Sequence, residues 1–506
     1  MEAQNRKVAY LLIASAVSFN LMLHLIGDWN AGYHGDELLH IEAGRHLAAG
    51  YFDFPPLIAF LAFFQNLFNS NSIFLNHLFV YVASALIIVL CNLIALELEG
   101  GRLALILLNA SIIFSPGIGA SHSLFLPDVF DQLVWVICAY NLIQYCKRQD
   151  HKFIICFSIF AALGFLTKYT IVFLITGFGI SVLLFQLNIL KKKSSWAAMI
   201  LFIVIISPNV LWQVYNGFPV FRHVSKLYET QLTQVSVFHE LKSLIIYANP
   251  LTLVFWALGL IVVPVVQRFR KYRMITVTLV FAFVILFLAK GKSYYYFPII
   301  LSALPFGLVF LESFFQKRKW LFTGYLSLMF MSGIILLPNG IPLLPLNNYI
   351  ETYYLKENSD HKIPLPFENY YSTEIWKQIL SKVNYTYTNL NPVEQRNCLI
   401  WGRHYSESCG INLLGKKFGL PDAFSFHSSC YSWVPDFSQN ITVIAISDAN
   451  LQMEYWKRFF DQVEEIGSVE NHYTSDYKWY KQHIYLCRKL KYNSTELKNI
   501  FKDEIF

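Results

Sequence analysis

Charge is what this sequence has least of. Only 14% of its 506 residues are Asp, Glu, Lys or Arg, whereas a soluble domain carries roughly 25%. That scarcity excludes an ordinary soluble chain over most of its length. The net charge of +7 points to no nucleic-acid partner, because the basic residues lie in short loops between apolar runs and form no patch. The eight cysteines have no metal-ligand spacing, which excludes a zinc-finger type of site. The polar C-terminal part has neither a nucleotide-binding glycine fingerprint nor a nucleophile elbow. The first apolar run, Val8 to Ile26, follows Arg6 and Lys7 but precedes no small-residue cleavage site, so it reads as a retained helix.

What the chain has in quantity is apolar surface, with 55% hydrophobic and 17% aromatic residues. Apolar runs dominate up to about Leu337, and Asn347 to Phe506 has the composition of a folded soluble domain. The expected architecture is a polytopic α-helical membrane domain over residues 1–345, with an amphipathic external loop at 28–60, followed by an α/β soluble domain over residues 346–506. Eleven spans are expected, centred near residues 17, 84, 111, 137, 160, 179, 205, 257, 282, 303 and 328. With the N-terminus in the cytoplasm, sixteen Lys and Arg fall in inside loops and seven on the other side of this domain. The positive-inside bias therefore places the loop at 28–60 and the C-terminal domain outside the cytoplasm. There Cys398, Cys409, Cys430 and Cys487 are free to pair, with connectivity left open.

The soluble part alternates apolar runs ("NCLIWG", "ITVIAIS", "HIYLCRKL") with helical patterns ("SESCGINLLGKKFG", "NLQMEYWKRFFDQVEEIG"). "NYT" at Asn384, "NIT" at Asn440 and "NST" at Asn493 are glycan acceptors only in a eukaryote.

The loop after the first run concentrates ionisable chemistry. Leu39, Ala43 and Leu47 recur at helical spacing, so Asp36 to Ala48 reads as an amphipathic helix with Asp36 and Glu37 in its first turn, and Pro55-Pro56 stops any continuation. "YHGDELLHIEAGRHLAAGYFDFPPL" (Tyr33–Leu57) resembles the first external loop of the membrane glycosyltransferases related to protein O-mannosyltransferases and lipid A aminoarabinose transferases. These are GT-C enzymes of glycosyltransferase family 39 type. The resemblance continues in order through "ELEGGRLALILLN" (Glu97–Asn109), "LPDVFDQLVWVICAY" (Leu126–Tyr140), "GFLTKYTIVFL" (Gly164–Leu174), "SPNVLWQVYNGFP" (Ser207–Pro219), "KGKSYYYFPIILSALPFGLVFLE" (Lys290–Glu312) and "GRHYSESCGINLLGKKFGLPDAFSFHSSCYSW" (Gly402–Trp433). It departs at Asn76 and His77, where many members carry an arginine.

The resemblance implies a polyprenyl-phosphate sugar donor, a lipid, glycan or protein acceptor, and an integral protein of a bacterial inner membrane. It assigns the base to Asp36 and a second catalytic acid to Asp128, with Glu37 either catalytic or supporting. Asp131, three residues after Asp128, is either its partner or an interhelical hydrogen-bonding group. Lys168, Lys290 and Lys292 are cations on the sparsely positive side. Each is a phosphate partner or a snorkelling residue, and Tyr294 and Tyr295 are phosphate donors or members of an interfacial belt. Arg222 and His223, in the long loop after "NGFP", are candidates for a gate on position alone. An acid at the place of Asp53 stands near a divalent metal in related enzymes. A metal with Asp53 and His40 as ligands is thus an expectation, and no other cofactor is. The competing reading is a transporter or flippase for a lipid-linked sugar. No internal repeat supports it, and the charges gather at one surface. A scaffold that has lost its chemistry is countered by the retention of Asp36, Glu37 and Asp128.

Overall fold

The structure, a computed structural model, describes residues 3–230 and 232–505. Its packing divides the chain into two compact units. The first runs up to Gly27 and includes Phe54–Ile58 and His77–Leu343, and the second comprises Asp28–Asp53, Ala59–Asn76 and everything from Leu344 onward. In this division the chain passes from the first unit to the second between Leu343 and Leu344. The external loop, expected with the membrane domain, packs instead with the C-terminal residues.

In the first unit a helix occupies each of the eleven expected places, from Ala3–Asn30 and Leu78–Glu97 to Phe297–Lys317 and Lys319–Leu336. Among the described residues, six helices are long and apolar enough to cross a membrane by length and composition. The pair Val237–Tyr247 and Pro250–Val265 passes the same test only when taken together, across a 93° bend that marks a broken span or a re-entrant loop. The helices Arg102–Ile113, Lys152–Phe165 and Ile171–Phe185 are shorter. At about 1.5 Å per residue, twelve helical residues reach about 18 Å, short of a hydrocarbon core of about 30 Å. Close helix contact is made where side chains vanish. A Cβ on Gly259 would lie 2.1 Å from the Ala303 carbonyl oxygen, and one on Gly307 would lie 1.9 Å from that of Phe255. The helices Leu253–Val265 and Phe297–Lys317 therefore meet backbone to backbone.

The second unit is built on a five-stranded sheet of order β2-β1-β3-β5-β4, with β1 Cys398–Gly402, β2 Ala423–Phe424, β3 Thr442–Ser447, β4 Phe460–Glu470 and β5 Lys481–Leu490. The first three strands are parallel, and β5 and β4 are antiparallel to their neighbours. The α/β expectation holds, with one correction. The helical pattern expected across 450–467 is a helix only over Met453–Lys457, and the rest is β4. Its register against β5, from Phe460 opposite Leu490 to Glu470 opposite Lys481, overrides a helical reading because an edge strand tolerates Gln and Glu on its open face. Trp401 anchors the core and makes an edge contact with Trp456 at 5.0 Å.

The amphipathic helix of the external loop is also shorter than expected, Gly35–Ala43 rather than 36–48. A Cβ on Gly44 would collide with the backbone of Ala62 at 2.6 Å, so this position admits the helix Leu57–Asn66 only as glycine. Beyond it the Tyr51 hydroxyl donates to the carbonyls of Ala43 and His46, holding the chain in a turn. At the position where relatives carry arginine, Asn76 is buried and donates to the Tyr33 hydroxyl at 2.7 Å.

Candidate active site

The second unit places a carboxylate at the start of a helix. His34 caps Gly35–Ala43, its Nδ1 accepting the Asp36 N–H at 3.1 Å, while the Glu37 carboxylate accepts the His34 N–H at 2.8 Å. This reciprocal cap satisfies two donors that a helix start leaves open. It also commits Glu37, fully buried, to its own helix. Asp36 lines a cavity instead, with 45% of its side chain exposed.

A second helix, Tyr405–Leu414, begins with the same device. His404 Nδ1 accepts the Ser406 N–H at 3.3 Å, and Glu407 accepts the His404 N–H at 3.0 Å. The two helices pack together, and a Cβ on Gly35 would come within 3.0 Å of the Ser406 Cβ. Their N-termini thus meet, and the Tyr405 hydroxyl donates to Asp36 Oδ1 at 2.5 Å. Burial first, and then the Asp36 carboxylate, push Tyr405 well above the ordinary phenol range. The phenol keeps its proton and remains a donor. Burial first, then the neighbouring His427 ring and the Lys478 and Arg403 cations, hold His404 well below the ordinary imidazole range. A neutral ring is what this cap requires, since Nδ1 must accept.

The cavity at these helix starts has a volume of about 390 Å³ and is lined by His34, Asp36, Glu368, Trp376, Tyr405, Lys478 and Trp479 among others. Glu368 accepts the Gly35 N–H at 3.3 Å and lies 3.7 Å from His34 Nε2. Burial raises its carboxyl above the usual range, partly offset by His34 and Gly35. Aromatic faces with carboxylates and an ammonium at their edges suit a ring that carries hydroxyls on its rim and an apolar face.

Asp53 is engaged elsewhere in the same unit. Its Oδ2 accepts from the Ser428 hydroxyl, from the Ser429 N–H at 3.1 Å and from the Ser429 hydroxyl at 3.0 Å. Among the described residues no three His, Cys, Asp or Glu side chains gather where they could hold a metal ion. The Asp53–His40 pair expected as metal ligands does not fit a metal by itself.

The first unit carries the remaining candidates. Lys168 Nζ lies 2.6 Å from Asp128 Oδ1, both side chains being less than one-fifth exposed, and 5.0 and 4.6 Å from the ring centres of Tyr294 and Tyr295. Asp131, one helical turn beyond Asp128, accepts from Thr170 at 3.1 Å and from the Trp135 indole at 3.1 Å. Four sequence candidates therefore form one closed group, in which an ammonium is held by a carboxylate and two rings. Lys290 and Lys292 stand at the turn before Tyr294 and Tyr295. Lys290 takes a left-handed backbone conformation (φ +54°) at the end of the helix Arg273–Leu288, and the Gly291 N–H closes that turn on the Leu286 carbonyl at 2.8 Å. Lys292 begins the next turn, whose Ser293 N–H is accepted by Glu240 at 2.7 Å. Arg222 and His223 lie on the helix Pro219–Thr230.

Sequence reading missed Tyr405, Glu368, Lys478 and Trp479. One signal was available, because His-x-x-Glu precedes an apolar run at both His34 and His404. Two matching helix starts marked the pair that meets in space.

The chain is similar to known proteins in sequence and in fold. The dolichyl-phosphate-mannose-protein mannosyltransferase family matches residues 53–212. Lipid A galacturonosyltransferase RgtD from Rhizobium johnstonii is 24% identical over 198 residues, 38% of this chain and 41% of that protein. The match thus spans about two-fifths of the curated relative. The crystal structure of ArnT from Cupriavidus metallidurans bound to undecaprenyl phosphate superposes with a TM-score of 0.57 at 13% identity, covering 96% of this chain and 98% of that one. The apo form of the same ArnT gives 0.59 at 12% identity, covering 95% and 98%. The chain is an integral membrane protein with the GT-C fold and a C-terminal sheet domain.

Proposed function

We propose that this protein is a glycosyltransferase that moves a sugar from a polyprenyl phosphate to an acceptor at the extracytoplasmic face of a bacterial inner membrane. The observation that carries this reading is the Asp36 carboxylate, hydrogen-bonded by Tyr405 on the wall of a cavity with aromatic and polar lining. The GT-C fold, the galacturonosyltransferase relative and the undecaprenyl phosphate bound to ArnT support the donor class.

Asp36 takes the proton of the acceptor hydroxyl as its oxygen attacks the anomeric carbon. The bond from that carbon to the phosphate oxygen breaks, and polyprenyl phosphate leaves with inversion. Tyr405 holds one carboxylate oxygen in place, and Glu37 and His34 set the helix start from which Asp36 projects. Lys290 and Lys292 are the cations assigned to the anionic leaving group, as point-charge partners for phosphate. The acceptor is a hydroxyl-bearing lipid or glycan headgroup.

Purified protein incubated with a panel of radiolabelled polyprenyl-phosphate sugars and native membrane extract should transfer label to one acceptor class, and Asp36→Asn should stop it. Transfer undiminished in Asp36→Asn would remove Asp36 from the chemistry. No transfer from any donor, with protein that is folded and donor-bound, would remove the transferase reading.

A further inference from the structure

Four cysteines lie in the C-terminal part of the second unit, all buried, and four allow three pairings. The fold separates them. Cys398 on β1 stands opposite Thr442 of β3, and Cys487 on β5 stands opposite Val443 of the same strand. With a whole strand between them, at about 4.8 Å per strand, they are roughly 10 Å apart. A disulfide tolerates a Cα separation of no more than about 7 Å. Cys487 is also packed in the core around Trp401. Cys409, on the helix Tyr405–Leu414, and Cys430, in the turn Ser428–Trp433, are different. Their Sγ atoms are 3.5 Å apart, with both residues less than 5% exposed. Closing that contact to a bond of about 2.05 Å needs an approach of about 1.5 Å, within reach of small χ1 rotations.

We propose that Cys409 and Cys430 are joined by a disulfide in the folded protein. The inference rests on the extracytoplasmic placement proposed above, since disulfides persist in oxidising compartments. The oxidant is a protein or small-molecule disulfide. The Cys409 thiolate, its proton lost to water, attacks one sulfur of the oxidant to form a mixed disulfide, and the other sulfur leaves as a thiolate. The Cys430 thiolate then attacks Cys409 Sγ and expels the second oxidant sulfur. Two protein thiols are oxidised, and one disulfide is reduced to two thiols.

The bond has a place in the site. The helix that carries Cys409 also brings Tyr405 to Asp36, and the turn that carries Cys430 holds Asp53 through Ser428 and Ser429. A covalent tie between helix and turn fixes both acids of the external loop to one rigid piece. Burial pushes the Cys409 thiol well above its ordinary range, which makes it a poor nucleophile once folded. With both residues buried, reductant reaches the bond only after unfolding.

The test is thiol mapping of the full-length protein, extracted from membranes in detergent with an alkylating agent and no reductant, then denatured and digested. The peptides holding Cys409 and Cys430 should appear as one linked species, lighter by two hydrogens than the reduced pair and separated by reductant only after denaturation. Cys398 and Cys487 should be alkylated as free thiols in the same digest. In Cys409→Ser, Cys430 should become fully alkylated and no new link should form. Free Cys409 and Cys430 in the unreduced wild type would overturn the proposal. A periplasm-active reporter fused to the C-terminus then shows which premise failed, an inactive reporter the placement and an active one the geometry. None of these readouts requires transfer activity, so the disulfide and the transferase reading fail separately.

Discussion

The two units hold similar residues in opposite electrostatic arrangements. In the second unit, the Asp36 carboxylate is met by a neutral donor, the Tyr405 hydroxyl. In the first unit, the Asp128 carboxylate is met by a full charge, the Lys168 ammonium, with two tyrosine rings closing over it. A hydroxyl orients a carboxylate without neutralising it, and the His34 ring stands further off, its Nδ1 3.9 Å from Asp36 Oδ2. An ammonium at 2.6 Å spends that charge, and two such partners removed from water are costly to separate. The likeness in composition therefore conceals a difference in role. Asp36 is the base of the proposed reaction, and Asp128 is the counter-ion of Lys168.

That contrast is broken most directly by neutralising each acid. Asp36→Asn keeps the size and removes the base, so turnover should fall by about 10²–10⁴ while donor binding is retained. Asp128→Asn should show itself first as lost stability. Leaving Lys168 without its partner should cost about 3 kcal/mol, read as a lower temperature of half-loss of folded protein in detergent. The double variant Asp128→Asn/Lys168→Met should recover part of it. A catalytic loss in stable, folded Asp128→Asn as deep as that of Asp36→Asn would erase the distinction.

Two further lysines sharpen it. Lys290→Met and Lys292→Met should each raise the donor KM by roughly 10- to 150-fold at saturating acceptor, the worth of a charge-assisted contact to phosphate. Lys→Arg at either position should keep part of the affinity. A donor KM unchanged in both Met variants would reduce these lysines to headgroup contacts.

The smallest expected effect concerns the hydroxyl itself. Tyr405→Phe should lower kcat by about 10-fold, the loss of one hydrogen bond to a charged group, with the donor KM little altered. An unchanged kcat would make the contact between Tyr405 and Asp36 one of packing.

How much of this was legible in the sequence varies by element. The helix positions were, because an apolar run carries its own boundary signals. Three of the helices at these places are too short to cross by length alone, which an average over an apolar run does not show. Asp36, Glu37 and Asp128 were legible as candidates, but their division of labour was not. Glu37 differs from Asp36 by a single position, and only the turn of the helix start shows that one caps and the other lines the cavity. The strand β4 was misread because its pairing with β5, not its own pattern, decides its conformation.

The sequence by itself determined that this chain enters a membrane, where its helices lie, and where its acids and lysines are concentrated. These are properties of short windows, set by hydropathy, charge and turn residues. The tertiary structure alone decided which partner each acid meets. Asp36 finds Tyr405 across 369 positions, Asp53 finds Ser428 across 375, and Lys168 finds Asp128 across 40. A carboxylate becomes a base, an anchor or a counter-ion according to what stands beside it, and a neighbour so distant in the chain leaves no trace in the local pattern.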